Sequence, residues 1–81
     1  MNPKVYEENG FKFFFWSNEE ERMHVHVTDN DGEAKFWLEP SIELADSYGF
    51  PPKTIKRLQR SVEKHKNEIT ASWEKHFGIN R

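Results

Sequence analysis

Cysteine is absent from the chain, so neither a disulfide framework nor a thiolate metal site can form. Nowhere do about 18 apolar residues run together, which argues against a membrane-spanning helix. Met1 to Glu8 holds no basic stretch followed by an apolar run, so no secretory leader is expected and the predicted compartment is the cytoplasm. Internal repeats and low-complexity tracts are also missing, and no cofactor is expected. One domain over 1–81 is the organisation this leaves, because a chain of 81 residues buries only roughly 60–65% of its unfolded surface and cannot support two cores. Aromatics compensate for the small core. Seven Phe, three Trp and two Tyr are present, and each large ring can remove on the order of 150–250 Å² from water.

Acid and base are nearly balanced overall, at a net charge of −2, but they are unevenly placed. Residues 1–50 hold 11 acids and 4 bases, and residues 51–81 hold 3 acids and 8 bases. Either the two halves attract each other within the fold, or the basic half meets an anionic partner.

Met23 to Glu39 reads as two strands meeting across a tight turn. Val25 and Val27 alternate with His24 and His26, a period of two that puts both imidazoles on one strand face and both valines on the other. Asp29-Asn30-Asp31-Gly32 supplies a hairpin loop, and the chain returns as a third strand through Ala34-Lys35-Phe36-Trp37 to Leu38. Upstream, Asn2 to Asn9 reads as a frayed lead-in, with Asn9-Gly10 as the turn before a first strand over Phe11 to Ser17. Phe11, Phe13 and Phe15 fall on one side of that strand, and Lys12, Phe14 and Trp16 on the other. A strand apolar on both faces lies inside a sheet or has its second face covered by a partner. Ser17 to Arg22 is a carboxylate-rich connection, either solvated or folding one of Glu19, Glu20 and Glu21 back beside His24 or His26.

After Pro40, alternation from Ile42 to Tyr48 predicts a fourth strand, although Ile42, Leu44 and Ala45 would also suit a short helix. From Lys53 to Phe77, Ile55, Leu58, Val62, Ile69 and Trp73 recur at helical spacing. One helix of about 25 residues, roughly 37 Å long, is expected, with Gly78 as its C-terminal cap. The predicted fold is therefore α+β: an antiparallel meander of three or four strands over about 11–48, then one long C-terminal helix over about 52–77 packed on one face.

Lys53, Lys56 and Arg57 lie in the first turns of that helix, where acids would be favoured by roughly 0.3–1 kcal/mol each. With Arg60 and Lys64 they form a ridge apart from the apolar stripe. The ridge is a solvated face, or it meets RNA or the acidic segment of a partner protein.

Several blocks together resemble the bacterial family called domain of unknown function 4160. They are Phe13-Phe14-Phe15-Trp16-Ser17-Asn18-Glu19, His24-Val25-His26-Val27, Gly32-Glu33-Ala34-Lys35-Phe36-Trp37-Leu38, Tyr48-Gly49-Phe50 and Trp73-Glu74-Lys75-His76-Phe77-Gly78. The resemblance implies a small cytoplasmic protein, often encoded beside another small domain, family 2442, in arrangements like toxin–antitoxin pairs. It implies no established activity. Two departures stand out. The histidine strand is approached by Glu20-Glu21-Arg22-Met23 where many members are proline-rich, and Pro51 replaces the common serine helix cap.

Three functions from different classes are compatible with these residues. A partner-binding component of a toxin–antitoxin-like pair would use the basic ridge with Phe14 and Trp16, against a cognate small protein or a second copy of itself. A small metal-independent ribonuclease would use His24, His26, Glu33 and Lys35, with imidazoles as acid or base and Lys35 stabilising a phosphorane. A metal-binding module would need a third ligand beside His24 and His26. His65 could be that ligand if the helix covers the histidine face, and not if it covers the phenylalanine face.

Overall fold

Asn9 and Gly10 both adopt positive φ, 54° and 85°, as a two-residue hairpin turn of matching twist requires. They fold Lys4–Glu8 (β1) back on Phe11–Phe14 (β2), with Glu8 opposite Phe11. The segment expected to be a frayed lead-in is thus a strand, and the sheet begins at Lys4 rather than near residue 11. The computed structural model describes residues 4–15 and 22–77. Trp16, Ser17, the glutamates Glu19 to Glu21 and the cap residue Gly78 lie outside them.

His24–Thr28 (β3) and Glu33–Trp37 (β4) form the expected hairpin. Its loop is tied by the Asp29 carboxylate, which accepts from the backbone N–H groups of Asp31 at 2.7 Å and Gly32 at 3.2 Å. Glu43–Tyr48 (β5) is a strand and not a short helix. It pairs Asp46 with Lys35 and Leu44 with Phe36, leaving Ala45 as the extra residue of a bulge. The strands follow the order β1-β2-β3-β4-β5, all antiparallel. The meander is as predicted, with five strands instead of three or four.

The expected single helix is two, Pro52–Lys64 (α1) and Lys66–Phe77 (α2), which meet at His65 with φ −102° and ψ 17°. The ladder bends there without being lost, since His65 N–H still donates to Ser61 at 3.0 Å and Ile69 N–H to His65 at 2.9 Å. Neither proline nor glycine marks the bend. Among the described residues, no helix is long and apolar enough to cross a membrane.

Register decides which face the helices cover. Phe13 opposite Val27, and Ala34 opposite Val27 in turn, put the valines and phenylalanines in one layer. Leu58 and Val62 of α1 and Ile69 and Trp73 of α2 close over Phe13, Phe15, Val25, Val27, Phe36 and Leu38, all buried. The helices therefore cover the phenylalanine and valine face, which removes about 1.5–3 kcal/mol worth of exposure for each large aliphatic residue.

A polar cluster fastens β1 to the helices at the bend. Ser61 Oγ donates to Glu8 Oε1 at 2.5 Å and lies 3.2 Å from the Tyr6 hydroxyl. His65 places Nε2 3.3 Å from Glu8 Oε2 and Nδ1 3.2 Å from Glu68 Oε1. The Tyr6 ring stacks on Phe13 at 4.1 Å and sits 4.3 Å from the imidazole. The hydrogen bond from Ser61, with that from His65, holds the Glu8 carboxyl below its ordinary range. Burial pushes the Tyr6 hydroxyl up to about 12, against the opposing hydrogen bond from Ser61.

Because the folded Tyr6 value exceeds the unfolded value near 10, its neutral form favours folding below about pH 10, and that contribution is lost as pH rises toward about 12. Tyr6→Phe is expected to cost about 1 kcal/mol at neutral pH through the lost hydrogen bond. It should also flatten the thermal midpoint profile between about pH 10 and 12. Parallel alkaline profiles for the two proteins would overturn this.

Candidate functional site

The face of the sheet turned away from the helices collects the chemistry foreseen around the histidines. Pairing sets His26 opposite both Phe14 and Lys35, and His24 opposite Trp37. Glu33 Oε2 lies 3.8 Å from His26 Nδ1. The candidate quartet of His24, His26, Glu33 and Lys35 is thus one cluster. His24 and His26 meet edge to face at 5.1 Å, and Phe14, half-buried, stacks on His26 at 5.5 Å.

Arg22 and Trp37, which sequence reasoning did not single out, complete this face. The Arg22 guanidinium lies 4.5 Å and the Lys35 ammonium 4.6 Å from the Trp37 ring centroid. Arg22 Nε also donates to the Glu39 carbonyl at 2.6 Å. Loop length was the usable signal, since four residues between Thr28 and Glu33 set the register that brings Trp37 beside His24.

The imidazoles are packed more than they are presented. His24 is fully buried and His26 is 6% exposed. His24 Nδ1 lies 2.7 Å from the Arg22 carbonyl, which can only accept, so that nitrogen carries the proton. The ring also meets Trp37 at 5.9 Å and Trp73 at 5.1 Å, edge on. Glu33 and Lys35 are half-buried. With His26, Asp46, Ser47 and Tyr48 they line a pocket of about 110 Å³ where β4 meets β5.

His65 does not join His24 and His26. The helices cover the opposite face, and His65 faces Glu8, Glu68 and Tyr6 instead. Among the described residues no group of three or more His, Cys, Asp or Glu is placed to hold a metal ion. The three-imidazole arrangement is thereby corrected.

The basic ridge is present in full. Lys53, Lys56, Arg57, Arg60 and Lys64 are all exposed on α1. At about 100° per residue they fall within an arc of roughly 100°, centred nearly opposite Leu58 and Val62. The ion pairs among the described residues, His26 with Glu33 and His65 with Glu8 and Glu68, include none of the five. The helix start has no compensation either, because Pro51 makes no side-chain cap and the first turn holds no acid.

The chain matches no curated protein and no solved structure. A family model, Domain of unknown function (DUF4160), matches residues 10–74, from the end of the β1–β2 turn into α2 and across the histidine strand and the ridge. The protein therefore belongs to the domain of unknown function 4160 family.

Proposed function

We propose that this protein is the partner-binding component of a toxin–antitoxin-like pair, and that α1 is the surface that meets an acidic segment of its cognate protein. One observation carries this reading. Five exposed cations share one helix face, three of them (Lys53, Lys56 and Arg57) in the first turns where a cation costs stability, and none of the five enters the ion pairs among the described residues. Pairing with the acidic first half of the same chain is the competing use; Lys64 serves it in part, its charge helping to lower the Glu8 carboxyl, whereas Lys53, Lys56, Arg57 and Arg60 enter none of the ion pairs among the described residues. Such a ridge would steer association and set its salt dependence.

Charge reversal tests it. Lys56→Glu combined with Arg60→Glu is expected to lower affinity for the neighbouring gene's product at least tenfold, with a thermal midpoint within about 3 °C of the parent, as for exposed positions generally. A complex of unchanged affinity would overturn the proposal. Loss of bound RNA, with no protein partner captured, would assign the ridge to RNA instead.

Cleavage of RNA is the reading that the cluster of His26, Glu33 and Lys35 would favour. Full burial of His24 counts against it, because a general acid or base must come within hydrogen-bond reach of its substrate. Cleavage by the purified protein that disappears in His26→Ala would favour it over partner binding.

A further inference from the structure

We infer that the outer edge of β5 is a docking site for an extended, basic segment of another protein chain, which joins the sheet as a sixth strand. This goes beyond the ridge proposal, since it concerns a different surface of opposite charge.

Strand β5 is last in the sheet order, so among the described residues its outer N–H and C=O groups have no ladder to join. Edges of this kind are commonly blunted by charge and by bulges, and β5 has Glu43, Asp46 and the bulge at Ala45. Blunting does not account for its apolar residues. The exposed large hydrophobics of the described chain are Leu44, at 41%, and Tyr48, at 70%, and both lie on β5. An edge that combines unpaired backbone with exposed apolar side chains is suited to strand addition, where main-chain bonds give affinity and alternate side chains give specificity.

Charge identifies the occupant. Asp46 sits directly opposite Lys35, yet the Lys35 ammonium lies over Trp37 at 4.6 Å; the Asp46 carboxylate accepts from the Ser47 backbone N–H at 2.9 Å through one oxygen and enters none of the ion pairs among the described residues. Glu43 accepts a hydrogen bond from the Ser41 hydroxyl at 2.9 Å and likewise has no cation. Beside them, the pocket of about 110 Å³ has on its wall the carboxylates of Glu33 and Asp46 and the Tyr48 ring, together with His26, 3.8 Å from Glu33, and Lys35, whose ammonium lies over Trp37. A guanidinium suits that set, forking to carboxylate oxygens while its plane stacks on an aromatic face. A second copy of β5 does not fit, because pairing two such edges would crowd Glu43 and Asp46 against their own kind.

The test uses the whole, isotope-labelled chain with a synthetic eight-residue peptide alternating valine and arginine. A valine–glutamate peptide and an arginine peptide with a central proline serve as controls. The arginine peptide is expected to bind, to slow amide exchange within Glu43–Tyr48, and to bind at least tenfold more tightly than the glutamate peptide. The proline peptide should give no protection. Asp46→Lys and, separately, Tyr48→Ser should each weaken binding about tenfold with little change in thermal midpoint, whereas the variant with Lys56→Glu and Arg60→Glu should bind as the parent does. The inference is overturned by equal binding of the arginine and glutamate peptides, by no binding at millimolar peptide, or by protection that maps to α1. Concentration-dependent protection of β5 without peptide would overturn it too, by giving the edge to a second copy.

Discussion

Replacing Trp73 with alanine is expected to lower the unfolding free energy by about 3–5 kcal/mol. For a domain of this size that corresponds to a fall of about 15–30 °C in thermal midpoint. Trp73 has no exposed surface and joins the two sides of the sheet's end, with its ring 5.2 Å from Phe15 and 5.1 Å from His24. Among the described side chains, Ile69 and Trp73 are the buried anchors of α2, so truncation loosens the helix and opens a cavity beside both rings at once. Against a total stability of about 4–12 kcal/mol for 81 residues, the loss is a large fraction. Glu74→Ala on the neighbouring position should change the midpoint by no more than a few degrees. A drop of less than about 5 °C for Trp73→Ala, followed by circular dichroism, would show that α2 is held by something else.

Gly49→Ala is the second large effect. Gly49 has φ +83°, and a Cβ there would run into the Asp31 carbonyl and come within 2.8 Å of the Gly32 Cα. Backbone meets backbone at this point, with no flexible side chain to give way. The left-handed conformation alone costs an ordinary residue roughly 1–2 kcal/mol, and separating the β3–β4 loop from the end of β5 adds to it. A total of at least about 3 kcal/mol is expected, read as a lower denaturant midpoint at unchanged slope. Stability within about 1 kcal/mol of the parent would mean that the loop shifts freely. Ala45→Gly, at the bulge of the same strand, is the control for a mere change in glycine content.

What the sequence made legible was the alternation. His24 and His26 on one face, the Asp29–Gly32 hairpin, β5 after Pro40 and the helical stripe through Leu58, Val62, Ile69 and Trp73 all follow from period and turn chemistry. β1 was hidden because Lys4-Val5-Tyr6-Glu7-Glu8 is mostly polar and short. Only Asn9-Gly10, the strongest short hairpin signal, pointed to it. The bend at His65 left no mark, since Val62 and Ile69, seven residues apart, continue one stripe straight through it. Of the site, the grouping of His26, Glu33 and Lys35 could be read from the hairpin. Burial of His24 could not, because the Trp73 ring that packs against it at 5.1 Å comes from α2, far along the chain.

The meander order has a consequence for how the molecule assembles. Every strand pairs with its neighbour in sequence, so the sheet can zip from hairpin to hairpin at small loop-closure cost. Its apolar layer has no cover until the helices arrive. Tyr6 meets Ser61 across 55 residues, and Glu8 meets His65 across 57. Strand β1 thus waits for partners made more than 50 residues after it. During that interval Phe13, Val25 and Phe36 face water, the state in which small sheets associate wrongly. Assembly begins with local steps and is completed by a distant one, with Ser61 and His65 closing the circuit between the two ends of the fold.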